Sequence, residues 1–281
     1  MFGFIKEIYR EYGGDDAPRL AAALAYYTLF SLAPLLIIAI AIAGYVFGRE
    51  AAQGLIVEEL QGTIGTRAAL LVQQLLLSAS RPSSSVPATI IGFLLSLYGA
   101  SHVFNHLNIS LNRIWRIRQA GSGIVFWIKT KLIFILMVFS SGVFLLISLL
   151  AGAVLEWAGG YFDTILPGLF QTANFFLSFL FTTLLFAFIF KFIPDALIRF
   201  EPLLLGSLFT SIFFNLGKSV LGLYLGRSVY RSTYGAASSL IVLLIWIYFS
   251  AQILFLGAEF TKVYARRRKK PLLPSQSAAR V

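Results

Sequence analysis

Charged side chains are spaced along this chain in a way that leaves six long gaps. Between Arg19 and Arg49 there are 29 residues without Asp, Glu, Lys or Arg, and between Arg81 and Arg113 there are 31. Leu132–Leu155 adds 24, Thr164–Phe190 and Ser232–Ala258 add 27 each, and Pro202–Gly226 is broken only by Lys218. A helix that crosses a bilayer needs about 20 apolar residues. The pattern therefore predicts six spans, at about 20–47, 88–111, 132–155, 167–190, 203–226 and 235–259. They form a single membrane domain over 1–265, followed by a basic tail over 266–281.

The polar stretches between the gaps have their own periodicity. In the segment from Glu50 to Pro87, Ile56, Leu60, Ile64, Ala68, Leu71 and Leu75 recur every three or four residues. That spacing predicts amphipathic helices, which either lie at the membrane surface or pack against the spans. "SRPSSSVP" ends the segment as a turn. At the N-terminus, Phe4, Ile5, Ile8, Tyr9 and Tyr12 share one helical face with charges between them, unlike a secretory signal. Pro34 interrupts the donor ladder of the first span, and Pro194 is placed to end or bend the fourth. Gly222 and Gly226 form a small-xxx-small step. The last ten residues are polar enough to be disordered.

Composition sharpens the class. The chain is 58% hydrophobic and 12% charged, against roughly 25% charged residues in soluble domains, and its mean hydropathy is +0.82. It reads as an all-α polytopic membrane protein with amphipathic helices in its first external loop. Of the basic residues, 17 fall on the side that holds both termini and 6 on the other, so the positive-inside rule places both termini in the cytoplasm. The net charge of +11 then serves orientation and anionic lipid rather than nucleic acid. Arg266, Arg267, Arg268, Lys269 and Lys270 follow the sixth span directly. They read as a topology signal or as a contact with anionic headgroups. The absence of cysteine excludes disulfides and thiolate chemistry.

Polar residues inside the spans are the candidate functional groups. "GASHVFNHLNISLNRIW" in the second span holds both histidines of the chain and three of its five asparagines. His102, Asn105, His106 and Asn112 gather on one arc of that helix, with Ser101 and Asn108 at its edge and Val103, Phe104, Leu107 and Leu111 opposite. Such a face bonds neighbouring helices, lines a wet pathway, or offers an i, i+4 histidine pair to a metal. No third ligand accompanies the histidines, so no metal and no cofactor is assigned. Asn215 and Lys218 share a face of the fifth span. Lys218 either snorkels to headgroups or faces a substrate. Glu259 is placed to pair with Lys262 at i+3. No nucleotide-binding loop, nucleophile elbow or dinucleotide fingerprint is present, so the chain does not read as an enzyme.

Three stretches carry a family resemblance: "AAALAYYTLFSLAPLL", "LNRIW" at Leu111–Trp115, and "YGAASSLIVLLIWIYFSAQILFLGAEF" from Tyr234. In them the chain resembles the YihY/BrkB family of bacterial inner-membrane proteins, from about Asp16 to Tyr264. The matching positions are Tyr26, Ser31, Pro34, Asn112, Trp115, Tyr234, Gly235, Trp246, Gly257 and Glu259. The resemblance implies six helices with cytoplasmic ends in the inner membrane and a part in envelope lipid homeostasis. It also implies that an older ribonuclease label for such proteins is a misassignment. Three functions follow as expectations. The first is a transporter or flippase-like carrier of a lipid, amphiphile or small solute, whose path is lined by the polar residues above. The second is a membrane scaffold acting through its basic tail. The last is a ribonuclease. Expected partners are membrane lipids with anionic headgroups and a lipid or amphiphilic substrate, without nucleic acid; a homo-oligomer is compatible with the same features.

Overall fold

The computed structural model describes residues 2–79, 86–119, 169–228, 237–274 and 278–280, with isolated helical positions between 132 and 154. Among the described residues the chain is helical apart from four short strands. The helices are α1 (Phe2–Gly14), α2 (Ala17–Phe47), α3 (Arg49–Ile64), α4 (Thr66–Ala79), α5 (Val86–Ile114), α6 (Leu169–Phe192), α7 (Phe200–Ser228) and α8 (Ala237–Arg267). The strands are β1 (Ile117–Gln119), β2 (Ala196–Leu197), β3 (Leu273–Pro274) and β4 (Ala278–Arg280). Windows at Phe175–Phe192, Phe200–Leu221 and Ser239–Arg267 are long and apolar enough to cross a bilayer. The expected third span lies largely outside the described residues, as do the loop after it, Tyr234 and Gly235.

Two helices hold the assembly together. α2 and α8 contribute to both apolar cores. One core joins them to α5 and α6 through Leu111, Ile114, Phe190 and Phe255. The other joins them to α3 and α4 through Ile56, Val72, Leu76 and Leu243. The segment after α2 packs on the bundle, but in α4 the buried side is Ala68, Ala69, Val72 and Leu76, whereas Leu75 of the expected stripe is exposed and Leu71 only partly buried, a shift of one residue. α6 ends two residues before Pro194, which cannot supply a donor to a further turn.

α7 and α8 cross on reciprocal glycine–threonine pairs. A Cβ on Gly206 would lie 1.9 Å from Thr261 Oγ1, and one on Gly257 would lie 1.8 Å from Thr210 Oγ1. Each threonine hydroxyl donates back to a glycine carbonyl of its own helix, Thr210 to Gly206 and Thr261 to Gly257, both at 2.7 Å. The polar groups are thus satisfied locally while the glycines admit the partner helix, a small-xxx-small crossing. It uses Gly206 and Gly257; the surroundings of Gly222 and Gly226 lie outside the described residues.

The C-terminal tail corrects the expectation of disorder. β3 pairs antiparallel with β2, and β4 with β1. Leu272 is buried in the first core. The tail gives the short segments after α5 and α6 the ladder partners that their own lengths cannot supply.

Gly257→Ala is expected to destabilise the protein by about 1–3 kcal/mol through overpacking, and Thr210→Ala added to it should recover part of that loss. Thermal unfolding of the purified protein in detergent checks both. Equal melting of Gly257→Ala and wild type would show that the crossing has slack.

Candidate functional site

Three arcs divide the surface of α1. At about 100° per residue, Phe4, Ile8, Tyr12, Ile5 and Tyr9 form an apolar arc. Glu7 and Glu11 flank it on one side, Lys6 and Arg10 on the other. The acidic arc docks on the basic end of α8. Glu11 is buried and meets Lys262 at 3.0 Å, Arg266 at 3.0 Å and Arg116 at 2.9 Å. Glu7 binds Arg266 and Arg267. Arg267 also donates to the Gly3 carbonyl and covers the Phe4 ring. Asp16, in the left-handed region between α1 and α2 (φ 57°), takes Arg19 at 2.8 Å and Arg113 at 3.1 Å.

Lys262 sits at the centre of this arrangement. Its ammonium lies 2.6 Å from Asp15, 2.6 Å from Glu259 and 3.0 Å from Glu11. The expected Glu259–Lys262 pair is present. Glu259 is fully buried, and the ion pair leaves its oxygens without a directed hydrogen bond. The oxygens of Glu11, Asp15 and Glu259 lie within 4.8 Å of one another, and the tethered ammonium supplies the cation such a triad requires. Sequence reasoning missed Glu11 and Asp15, because both lie some 250 residues from Lys262.

Burial pushes the Glu11 carboxyl up, but hydrogen bonds from Lys262 and Arg266 and the charges of Lys262 and Arg116 outweigh it and hold the group at about 2. Glu7 is lowered in the same way, with burial opposed by Arg267 and Arg266. Tyr12 is raised to about 12, by burial first and then by Tyr248 and Glu259. It stays a neutral phenol and donates to Gln252 Oε1 at 2.9 Å.

The apolar arc of α1 closes one side of a groove of about 680 Å³ whose other walls are α7 and α8. Ile5, Ile8 and Tyr9 face Phe213, Leu216 and Val220 of α7 and Phe249, Ile253 and Phe260 of α8. Its floor is tight, since a Cβ on Gly217 would meet Ile253 at 2.8 Å and Phe249 at 3.0 Å. The walls lie on two of the membrane-length windows.

The polar residues expected on one pathway fall into separate places. Asn112 exchanges two bonds with Asp195, donating to Oδ2 and accepting from the backbone N–H, both at 2.8 Å. Asn108 donates to the Ile193 carbonyl at 2.6 Å. Together they clamp α5 to the turn after α6. His102 and His106 instead meet aromatic rings. His106 lies edge-on to Tyr27 at 4.9 Å, and His102 edge-on to Tyr98 at 4.7 Å. His106 Nε2 is buried without a hydrogen-bond partner. Asn105 is half-buried on the same helix. Asn215 bonds back to the Ser211 carbonyl at 2.9 Å, and Lys218 is half-buried one turn further along α7.

The family-motif positions are mostly architectural. Trp115 donates from Nε1 to the Ala258 carbonyl at 3.0 Å, Trp246 meets Phe214 edge-on, and Ser31 is buried. Tyr26 lies exposed beside Tyr27 and Phe30; Pro34 lies within α2. In the basic run, Arg266 and Arg267 hold α1, and Lys270 pairs with Glu201. Arg268 lies over Tyr264. Lys269 takes the left-handed conformation that ends α8.

Lys262→Met leaves Glu259 and Asp15 without the cation they share, while Glu11 keeps Arg266 and Arg116, and should cost about 3–5 kcal/mol. Adding Glu259→Gln should recover part of it, as chemical unfolding will show; strictly additive losses would deny the coupling. The lowered Glu11 pKa fixes a pH dependence. The stabilisation of docked α1 is complete above the ordinary carboxylate range, near 4.5, and is lost as pH falls towards 2. Spin labels on α1 and α7, placed in a chain with no cysteine of its own, should hold a constant distance from pH 7 to 5 and separate below about 4. Separation near neutral pH would contradict the ion-pair account.

Comparison with known proteins gives this architecture its relatives. The Virulence factor BrkB family model matches residues 8–281. A UPF0761 membrane protein of Acinetobacter baylyi is 25% identical over 259 residues, covering 92% of this chain and 61% of that protein. One of Tolumonas auensis is 28% identical, covering 92% and 87%. A ribonuclease-like protein of Bacillus subtilis, YfkH, is 23% identical, covering 95% and 97%. The chain thus spans under two thirds of the Acinetobacter relative's length. No solved structure matches. With a family match that runs from α1 to the last residue, the chain belongs to the BrkB family of membrane proteins.

Proposed function

We propose that the chain is a transporter or flippase-like carrier of a lipid or another amphiphile, crossing the bacterial inner membrane six times with both termini in the cytoplasm. The groove between α1, α7 and α8 carries this reading. Its walls are apolar, two of them belong to membrane-length helices, and the third is held by ion pairs rather than by a continuous core. A wall latched in this way can move without unpacking the bundle. Polar residues elsewhere in the spans, Asn215 and Lys218 among them, remain candidates for the path of a headgroup.

The scaffold alternative needs a basic tail that is free to engage a partner. Arg266, Arg267 and Lys270 face carboxylates of the chain itself, and the strands after them pair with β1 and β2. That favours the carrier.

Phe4→Cys with Phe260→Cys, replacing two rings that stand 5.4 Å apart, should be joined by a short bis-methanethiosulfonate cross-linker that locks α1 down. In proteoliposomes carrying a fluorescent phosphatidylglycerol, the cross-linked protein is expected to lose lipid movement at least tenfold and regain it on reduction. Movement unchanged by the lock would show that α1 is no gate. No movement with either form would remove the carrier reading for lipids.

A further inference from the structure

We infer that the groove is a binding site for an anionic phospholipid of the surrounding bilayer, with its hydrocarbon along α7 and α8 and its headgroup on Lys6 and Arg10. This deepens the carrier reading and rests on the same groove.

The shape selects hydrocarbon. On α7 the lining runs from Phe209 to Val220, about 16 Å at a rise of 1.5 Å per residue. The groove has a volume of about 680 Å³. The volume lies within the range of small-molecule sites. Leu216 is 58% and Val220 61% exposed, so the groove is open along its side, where the bilayer would lie. Tyr12 and Gln252, the half-buried polar groups in its lining, bond each other. An occupant there meets almost no unsatisfied polar atom.

The charge on α1 selects the headgroup. Glu7 and Glu11 are both engaged by cations of α8 and of the segment after α5. That leaves Lys6 and Arg10, one turn apart and exposed, with no carboxylate among the described residues. They adjoin Ile5 and Tyr9, which line the groove and are themselves 62% and 79% exposed. An amphipathic helix with basic residues beside its apolar face sits at the headgroup level and attracts anionic lipid. Here the apolar face is already committed to a groove, so the cations flank its rim.

The test is bound lipid, so its failure is distinct from a failure of transport. The full chain is reconstituted in nanodiscs with equal phosphatidylglycerol and phosphatidylcholine, re-extracted in mild detergent, and its retained lipid is measured by native mass spectrometry. Wild type should retain phosphatidylglycerol in excess. Leu216→Trp and Val220→Trp, both at outward-facing positions, should each lower the retained lipid about tenfold. Lys6→Gln with Arg10→Gln should keep lipid but reduce the preference for phosphatidylglycerol about tenfold. Lipid retained undiminished by both tryptophan variants, or none retained by wild type, overturns the site. Equal retention of the two lipids by wild type overturns the assignment of an anionic headgroup.

Discussion

A lysine ammonium that is almost fully buried at the end of a membrane-length helix is tolerable only among carboxylates. Lys262 draws one from its own helix, Glu259, one from α1, Glu11, and one from the turn that follows α1, Asp15. The last two can reach it only if α1 lies across the end of α8. The demand for counter-charge therefore determines where α1 goes. Once its acidic arc is turned to α8, its apolar arc is directed at the outer seam of α7 and α8, and its basic arc is left at the rim. One buried charge thus sets the orientation of an entire helix and creates the wall of the groove.

The seam itself depends on a different device. Gly206 and Gly257 let Thr261 and Thr210 approach their backbones, and each hydroxyl is satisfied within its own helix. The same closeness recurs at Gly217 against Ile253 and Phe249. Tight packing gives the groove a floor, whereas ion pairs give it a side. Dispersion contacts at the floor fail together or not at all. Ion pairs at the side respond to pH, because Glu11 and Glu7 must be ionised to hold it.

The sequence makes helices legible and partners only in part. Uncharged runs locate α2, α5, α6, α7 and α8, since a bilayer permits little else at that length and apolarity. The Glu259–Lys262 pair follows from helical spacing alone. Glu11 and Asp15 do not, because their link to Lys262 is set by where the chain turns at Asp16, and periodicity carries no such information. Gly257 is conspicuous as a motif residue, but its role needs Thr210, and the Gly-xxx-Thr echo at Gly206–Thr210 and Gly257–Thr261 is the signal that could have paired them. The tail misleads on composition. Its ladder partners lie in the loops after α5 and α6, and a polar segment gains order from such partners without an apolar core of its own.

The polar face of α5 shows how one sequence feature can split into two physical roles. Its lower residues, Asn108 and Asn112, meet a backbone carbonyl, a backbone N–H and a carboxylate of the turn after α6. Those bonds tie α5 to the turn after α6, so this half of the face answers a demand of the architecture. Its upper residues, His102 and His106, meet tyrosine rings, and one histidine nitrogen has no hydrogen-bond partner. Among the described residues of this face, His106 Nε2 is the buried side-chain nitrogen without a hydrogen-bond partner. The groove, in contrast, has walls, a floor and a basic rim that meets no carboxylate among the described residues, all built from helices other than α5. A carrier reading is therefore better founded on α1, α7 and α8 than on the histidines that first draw the eye, since Asn108 and Asn112 are committed to the turn after α6.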